Sequence, residues 1–173
     1  MRIHQWTGMV DDFKQGVLSQ RPRRWLRVFL KAPILLYRLH LGWLLGQRFL
    51  LLEHMGRKSG LTRRTVIEVV NHDPITKTWT VAAAFGGRTA HWFQNIQERP
   101  AVIVTVGIKR SSALARPLDE DQGDSIFRDY AKQNARAWAL LYRLILGDRF
   151  DGSDAAFRRF AAQVPAVAFH TTK

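Results

Sequence analysis

RFLLLEHMGRKSGLTRRTVIEVVNHDPITKTWTVAAAFGG, residues 48–87, holds three short apolar runs separated by turn residues. RFLLLEHM (48–55), TVIEVV (65–70) and TWTVAAAF (78–85) are rich in β-branched and aromatic side chains, the composition that suits a half-buried pleated surface. NHDPITK (71–77) separates the second from the third. Its Asn, Asp and Pro turn a chain by local side-chain hydrogen bonding and a fixed φ, which predicts a hairpin. The segment reads as three consecutive strands.

Working outward, VIVTVG (102–107) repeats the strand pattern, and residues 110–117 pair back on it through the turn at Gly107. Between the third and fourth strands, Thr89 to Glu98 has helical spacing at Trp92, Phe93 and Ile96 and stops before Pro100. After Pro117, the acidic run Asp119, Glu120 and Asp121 suits a helix N-terminus. Ile126, Phe127, Tyr130, Trp138, Leu141, Tyr142 and Ile145 then form one apolar stripe, which Gly147 would end. Asp154 to Gln163 reads as a short helix capped by Ser153, and AVAFH (166–170) as a closing strand. The order predicted is α, then β-β-β-α-β-β, then α-α-β. That is one α+β domain: an N-terminal amphipathic helical extension (1–46), a mostly antiparallel core (47–118), and C-terminal helices with a closing strand (119–173).

Residues 21–46 carry Trp25, Val28, Phe29, Leu35, Leu36, Leu39, Trp43 and Leu44 at spacings near three and four, among Arg24, Arg27, Lys31 and Arg38. The pattern fits a helix in a membrane interface. It equally fits a helix packed on the protein's own core with its arginines reaching water. Charge is uneven along the 173 residues, whose formal net charge is +13. Residues 1–65 hold thirteen basic side chains against Asp11, Asp12 and Glu53, a balance of +10. The remaining fourteen basic and eleven acidic side chains give +3. An anionic partner is expected near the N-terminal third: a membrane surface, a nucleic acid or an acidic ligand. Helix-turn-helix, zinc-finger and RRM signatures are absent, which disfavours nucleic acid. With no secretory signal and no apolar run long enough to span a bilayer, the expectation is a cytoplasmic protein, or one peripheral on the inner face of the cytoplasmic membrane.

Several chemistries are excluded. There is no cysteine, so thiolate metal sites, iron–sulfur clusters and cysteine nucleophiles drop out. His4, His40, His54, His72, His91 and His170 lack metal-ligand spacing, and no metal is expected. GRKSG (56–60) is neither G-x-S-x-G nor a Walker loop, and it joins two strands instead of opening a helix.

What remains is M-GRKSG-LTRR, residues 55–64. Two glycines let the backbone turn with its N–H groups converging, which makes an anion-binding concavity. Arg57 and Arg63 can fork onto phosphate or carboxylate oxygens, Lys58 and Arg64 add charge, and Ser59 can donate a hydroxyl. A solvated cationic turn has the same composition. The second constellation is AAAFGG (82–87) followed by TAHWFQN (89–95). Small residues let a flat ring approach the backbone, Gly86 permits a sharp exit, Trp92 offers a stacking wall and the Asn95 amide both donates and accepts.

GRKSG with a following Arg, a strand ending Ala-Ala-x-x-Gly-Gly and a helix beginning x-W-[FY]-x-N together resemble the deazaflavin-dependent nitroreductase family. The resemblance covers roughly residues 35–118 well. It implies a split β-barrel flanked by helices and an oxidoreductase that binds the deazaflavin coenzyme F420. Carried over motif by motif, it implies that Arg57, Lys58, Ser59 and Arg63 hold the coenzyme's phosphate and oligoglutamate tail. Ala82, Ala83 and Ala84 pass beneath the ring, and His91, Trp92 and Asn95 complete the pocket. Phe85 stands where members often have Lys, and Glu68, expected to face the ring region, where they often have an aromatic residue. The function expected is hydride transfer between F420 and an organic, lipophilic small molecule such as a quinone, a nitro compound or an enoyl-type double bond. The alternatives are an FMN-binding split-barrel protein and a non-enzymatic basic module for a membrane surface or nucleic acid.

Overall fold

A computed structural model describes residues 46–172. The amphipathic stretch 21–46 lies, but for its last residue, outside the described residues. Six strands close into a barrel: β1 (Phe49–Met55), β2 (Thr62–Asp73), β3 (Thr78–Ala82), β4 (Ala101–Val106), β5 (Lys109–Pro117) and β6 (Ala166–Thr171). They run in the order β1-β2-β3-β6-β5-β4, and every neighbouring pair is antiparallel, so β4 returns to β1 and no edge is left open. Among the described residues four α-helices accompany the barrel: α1 (His91–Glu98), α2 (Glu120–Gln133), α3 (Ala135–Leu146) and α4 (Asp154–Gln163). The split-barrel expectation is met.

Period-two alternation builds the barrel interior. Leu50 and Leu52 of β1, Ile67 of β2, Val81 of β3, Val102 and Val104 of β4, Ala113 and Ala115 of β5, and Val167 and Phe169 of β6 form one buried cluster. Helix α1 stoppers one end with Phe93 and Ile96. A second core lies outside the barrel wall. There Val70, Ala82 and Ala166 meet Phe127, Tyr130, Trp138, Tyr142 and Phe160 of the C-terminal helices. Burying a side chain of that size stabilises by about 1.5–3 kcal/mol, so each core is a substantial fraction of the folding free energy.

Several boundaries differ from expectation, among them the end of β2, where Asn71 to Asp73, expected in the turn, pair with β3. β2 begins at Thr62 instead of Thr65, because its first residues find partners on β1 down to the Met55–Thr62 pair. β3 ends at Ala82, and Ala83 N–H turns to the Pro165 carbonyl at 2.9 Å. The single helix expected from 119 to 147 is two helices, broken at Asn134, whose φ of −133° and ψ of 49° leave the helical region. The Asn134 amide donates to the Tyr130 carbonyl at 3.3 Å and stabilises the break. Capping follows the sequence closely: Asp119 and Gln122 form a reciprocal capping box, Ser153 caps α4, and Gly147 ends α3 with φ 80°. No helix among the described residues is long and apolar enough to cross a membrane.

Candidate functional site

The turn between β1 and β2 sits at the end of the barrel that α1 closes. Gly56 makes it tight: a Cβ there would lie 2.7 Å from Ser59 Oγ and 3.3 Å from the Leu61 carbonyl. Gly60 takes φ 65°. Four backbone N–H groups of the turn are spent inward: Gly56 on the Leu61 carbonyl, Gly60 on the Gly56 carbonyl, Leu61 on Ser59 Oγ and Arg57 on Asn95 Oδ1. The converging backbone donors expected from the glycines are thus mostly occupied by the turn itself. What faces outward is side-chain charge.

The four cations of GRKSGLTRR part company because β2 has already begun at Thr62, and neighbouring strand residues point to opposite faces. Arg64 turns to the outer wall and pairs with Glu53 at 3.0 Å, whose other oxygen accepts from Arg110 at 3.0 Å. Burial works to raise the Glu53 pKa. The hydrogen bonds from Arg110 and Arg64 and their charges outweigh it and hold the carboxyl below its ordinary range. Arg63 points the other way, beside His54, with which it is paired across the strands. Arg57 is half-buried and committed to Asn95. Lys58 and Arg63 are exposed and have no carboxylate partner among the described residues.

Asn95 ties the turn to α1. Its Oδ1 accepts from the Arg57 backbone N–H and from Arg57 Nη1, each at 3.1 Å. Its Nδ2 lies 3.1 Å from His54 Nδ1. Asn95 is 4% exposed and His54 5%, so this is a buried polar network. An amide oxygen already taken by two N–H donors leaves Nδ2 only the role of donor, so His54 Nδ1 is an unprotonated acceptor. Burial first, then the Arg63 charge, lowers the His54 pKa; a backbone hydrogen bond at Met55 opposes them. The ring is neutral at neutral pH. Sequence spacing did not single out His54, yet alternation carried a signal: it shares an inward face with Leu50 and Leu52, where a polar ring must find a partner.

The second constellation lies at the start of the same helix. Ala83 faces the barrel core, whereas Ala82 and Ala84 belong to the core under the C-terminal helices. Ala82 and Ala83 are buried, so a planar ligand reaches this segment through its backbone, Ala84 and Phe85. Phe85 is 52% exposed. Gly86 and Gly87 take φ 91° and 48°, and a Cβ on Gly87 would stand 2.9 Å from the Gln163 carbonyl. Trp92 is half-buried, edge-on to Phe93 at 6.0 Å, and His91 is exposed at the head of α1.

Glu68 lies far along the barrel from the β1–β2 turn. It stands opposite Phe49, six residues along β1 from Met55, which is about 20 Å at 3.4 Å per residue. There it pairs with Arg48 at 3.1 Å and accepts from Tyr130 Oη at 2.9 Å. Burial, then the Glu68 charge and hydrogen bond, push the Tyr130 phenol up to about 12. Glu68 therefore faces α2, far from the β1–β2 turn but alongside Ala82 in the β2–β3 register. The structure brings Arg57, Arg63 and Asn95 together with the unforeseen His54, keeps Lys58 and Ser59 on the same turn, and separates off Arg64 and Glu68.

The donor set suits a polyanion with a flat, partly apolar head: exposed cations at the turn, and exposed Phe85 and half-buried Trp92 on the segment leading into the helix joined to it. Among the described residues no group of three or more His, Cys, Asp or Glu could hold a metal ion. A family model described as F420H(2)-dependent quinone reductase matches residues 40–141. No curated protein matches the chain. A solved F420-H2 dependent reductase (FDR-A) aligns at 19% identity and TM-score 0.49, over 72% of this chain and 95% of that one. General Stress Protein 26 from Bacillus anthracis aligns at 14% identity and TM-score 0.46, over 73% and 81%. A pyridoxamine 5'-phosphate oxidase-related, FMN-binding protein from Nostoc punctiforme aligns at 13% identity and TM-score 0.45, over 90% and 83%.

Proposed function

The chain belongs to the F420H(2)-dependent quinone reductase family, and on that premise we propose that this F420-dependent oxidoreductase transfers hydride between the coenzyme and a lipophilic organic acceptor of the quinone, nitro or enoyl class. The observation that carries the reading is the pair of exposed cations, Lys58 and Arg63, which have no carboxylate partner among the described residues, on a turn that Asn95 locks to α1. Bound F420 supplies the hydride chemistry, so the protein needs neither a catalytic triad nor a metal for it.

The protein's own part is binding, orientation and exclusion of water. Lys58, Arg63 and the Ser59 hydroxyl would take the anionic tail. Ala84, Phe85 and Trp92 would border the ring, with the Ala83 backbone beneath. Met55 and Leu61, on the cationic turn, are 41% and 60% exposed, and these apolar side chains support a lipophilic acceptor. The amphipathic pattern of residues 21–46 and the +10 charge of residues 1–65 support an accompanying reading, docking on an anionic membrane surface.

Titrating the protein with F420 while following coenzyme fluorescence tests the main reading, with FMN titrated in parallel. Micromolar or tighter F420 binding is expected. Binding no tighter than about millimolar would sink it. Tight FMN binding in its place would move the protein to flavin chemistry on the same barrel. For the membrane, sedimentation with anionic vesicles should weaken in high salt and fall when Trp25 and Phe29 become serine.

A further inference from the structure

We propose that His54 is a positioning residue for the coenzyme-binding turn: its neutral Nδ1 fixes the Asn95 amide in the one orientation that holds Arg57, and protonation of the imidazole releases the turn. The proposal rests on the coenzyme reading above and adds a residue and a proton dependence to it.

The argument is a count of donors and acceptors. The amide of Asn95 stands between three groups: the Arg57 backbone N–H, Arg57 Nη1 and His54 Nδ1, all at 3.1 Å. Two are obligatory donors. With His54 neutral and its proton on Nε2, the third is an acceptor, and one amide satisfies all three. With His54 protonated, all three are donors. If the amide stays, Nδ2–H opposes Nδ1–H. If it flips, the carbonyl serves His54 and Nδ2 opposes both donors of Arg57. Neither orientation is satisfied, and the site is too buried for water to absorb the conflict.

A backbone hydrogen bond at Met55 favours a proton on His54, but the charges around the ring oppose one. Arg63 faces it from β2 and Arg57 lies beyond Asn95 from the turn. Arg99, after α1, reaches the sulfur of the adjacent Met55. On β4 the neighbouring positions are Ala101 and Val102, which carry no charge. On its own strand Glu53 points to the opposite face and is taken by Arg64 and Arg110. Among the described residues no carboxylate is placed to welcome an imidazolium. The loss of Arg57's anchor passes directly to the turn, because the same residue's backbone N–H is one of the two bonds broken and Lys58 is next in the chain.

The test compares wild type, His54→Leu and His54→Asn by F420 titration at about pH 8 and about pH 5, on either side of the ordinary imidazole pKa. Each variant is referred to wild type at the same pH, so that ionisation of the coenzyme itself cancels. Leucine removes the acceptor. Asparagine keeps an oxygen near the position of Nδ1 and does not titrate. At the higher pH, His54→Leu should bind roughly ten-fold more weakly and His54→Asn nearly as well as wild type. At the lower pH wild type should fall towards His54→Leu while His54→Asn holds its affinity.

Nitrogen NMR of the ligand-free protein is the second readout. At the higher pH it should show His54 with Nδ1 bare and Nε2 protonated. A protonated Nδ1, or a folded His54→Leu that binds like wild type, overturns the proposal. If wild type binds no F420, the coenzyme reading falls instead. The tautomer, and its loss in Asn95→Leu, then still decides whether the latch exists.

Discussion

Asn95 joins two elements with one amide, and the cost of removing it follows from what it leaves behind. In Asn95→Leu the half-buried Arg57 N–H and the buried His54 ring nitrogen both lose their partner. Each such orphan costs about 1–3 kcal/mol, so the urea midpoint should fall clearly, and further than for an exposed change such as Lys58→Ala. Arg63→Ala should act on the ligand instead. Losing one charge-assisted contact should weaken F420 binding about ten-fold or more, with a smaller loss for tail-truncated coenzyme. Equal losses for both coenzymes would place Arg63 away from the tail. The pH dependence of folding has a definite sign. Burial and Arg63 hold the folded pKa of His54 below its unfolded value. The stability contributed by the neutral ring is therefore complete above roughly pH 6.5 and lost as pH falls through the folded value. Denaturation midpoints should drop between about pH 7 and about pH 5 in wild type, and less in His54→Asn.

At the scale of elements, the connection from β3 into α1 depends on the absence of a side chain. Gly87 has φ 48°, and an added Cβ would meet the Gln163 carbonyl at 2.9 Å, a backbone atom that cannot swing aside. Gly87→Ala should therefore cost more than the 1 kcal/mol or so expected of an ordinary left-handed glycine, lowering the melting temperature by several degrees. Gly152→Ala is the control: φ is 80° there, yet the added carbon meets nothing. Because this connection leads into the helix that carries Asn95, F420 binding should weaken in Gly87→Ala and stay unchanged in Gly152→Ala.

For the whole molecule, the barrel core and the helical core share a wall, β3 and β6, but hold different residues. Trp138 centres the second, within 4.6–6.1 Å of Phe127, Tyr142, Phe150, Phe157 and Phe160. Trp138→Ala should cost about 3–5 kcal/mol by chemical denaturation, while the residual folded fraction keeps its coenzyme affinity. A variant that is stable but cannot bind would contradict this separation. The order of the strands, the helix between the third and fourth of them, the caps at Ser153 and Gly147 and the family were legible in the sequence, because alternation, helical period and turn chemistry act over a few residues. The break at Asn134 was not, since helical spacing holds on both sides of it, and the gap between Tyr130 and Trp138, where Gln133 and Asn134 stand, fits one helix or two until packing selects. The start of β2 was set by its partner on β1, and that register alone sent Arg63 inward to His54 and Arg64 outward to Glu53. Closing the barrel and plugging it with α1 then brought residue 54, residue 57 and residue 95 to one point. By itself the sequence determined which residues carry charge, turn the chain and recur at strand or helix spacing, because those properties are local. Only the tertiary structure decided which of those charges face an opposite charge, which face each other and which remain free for a ligand, because that depends on distances between segments that no spacing along the chain records.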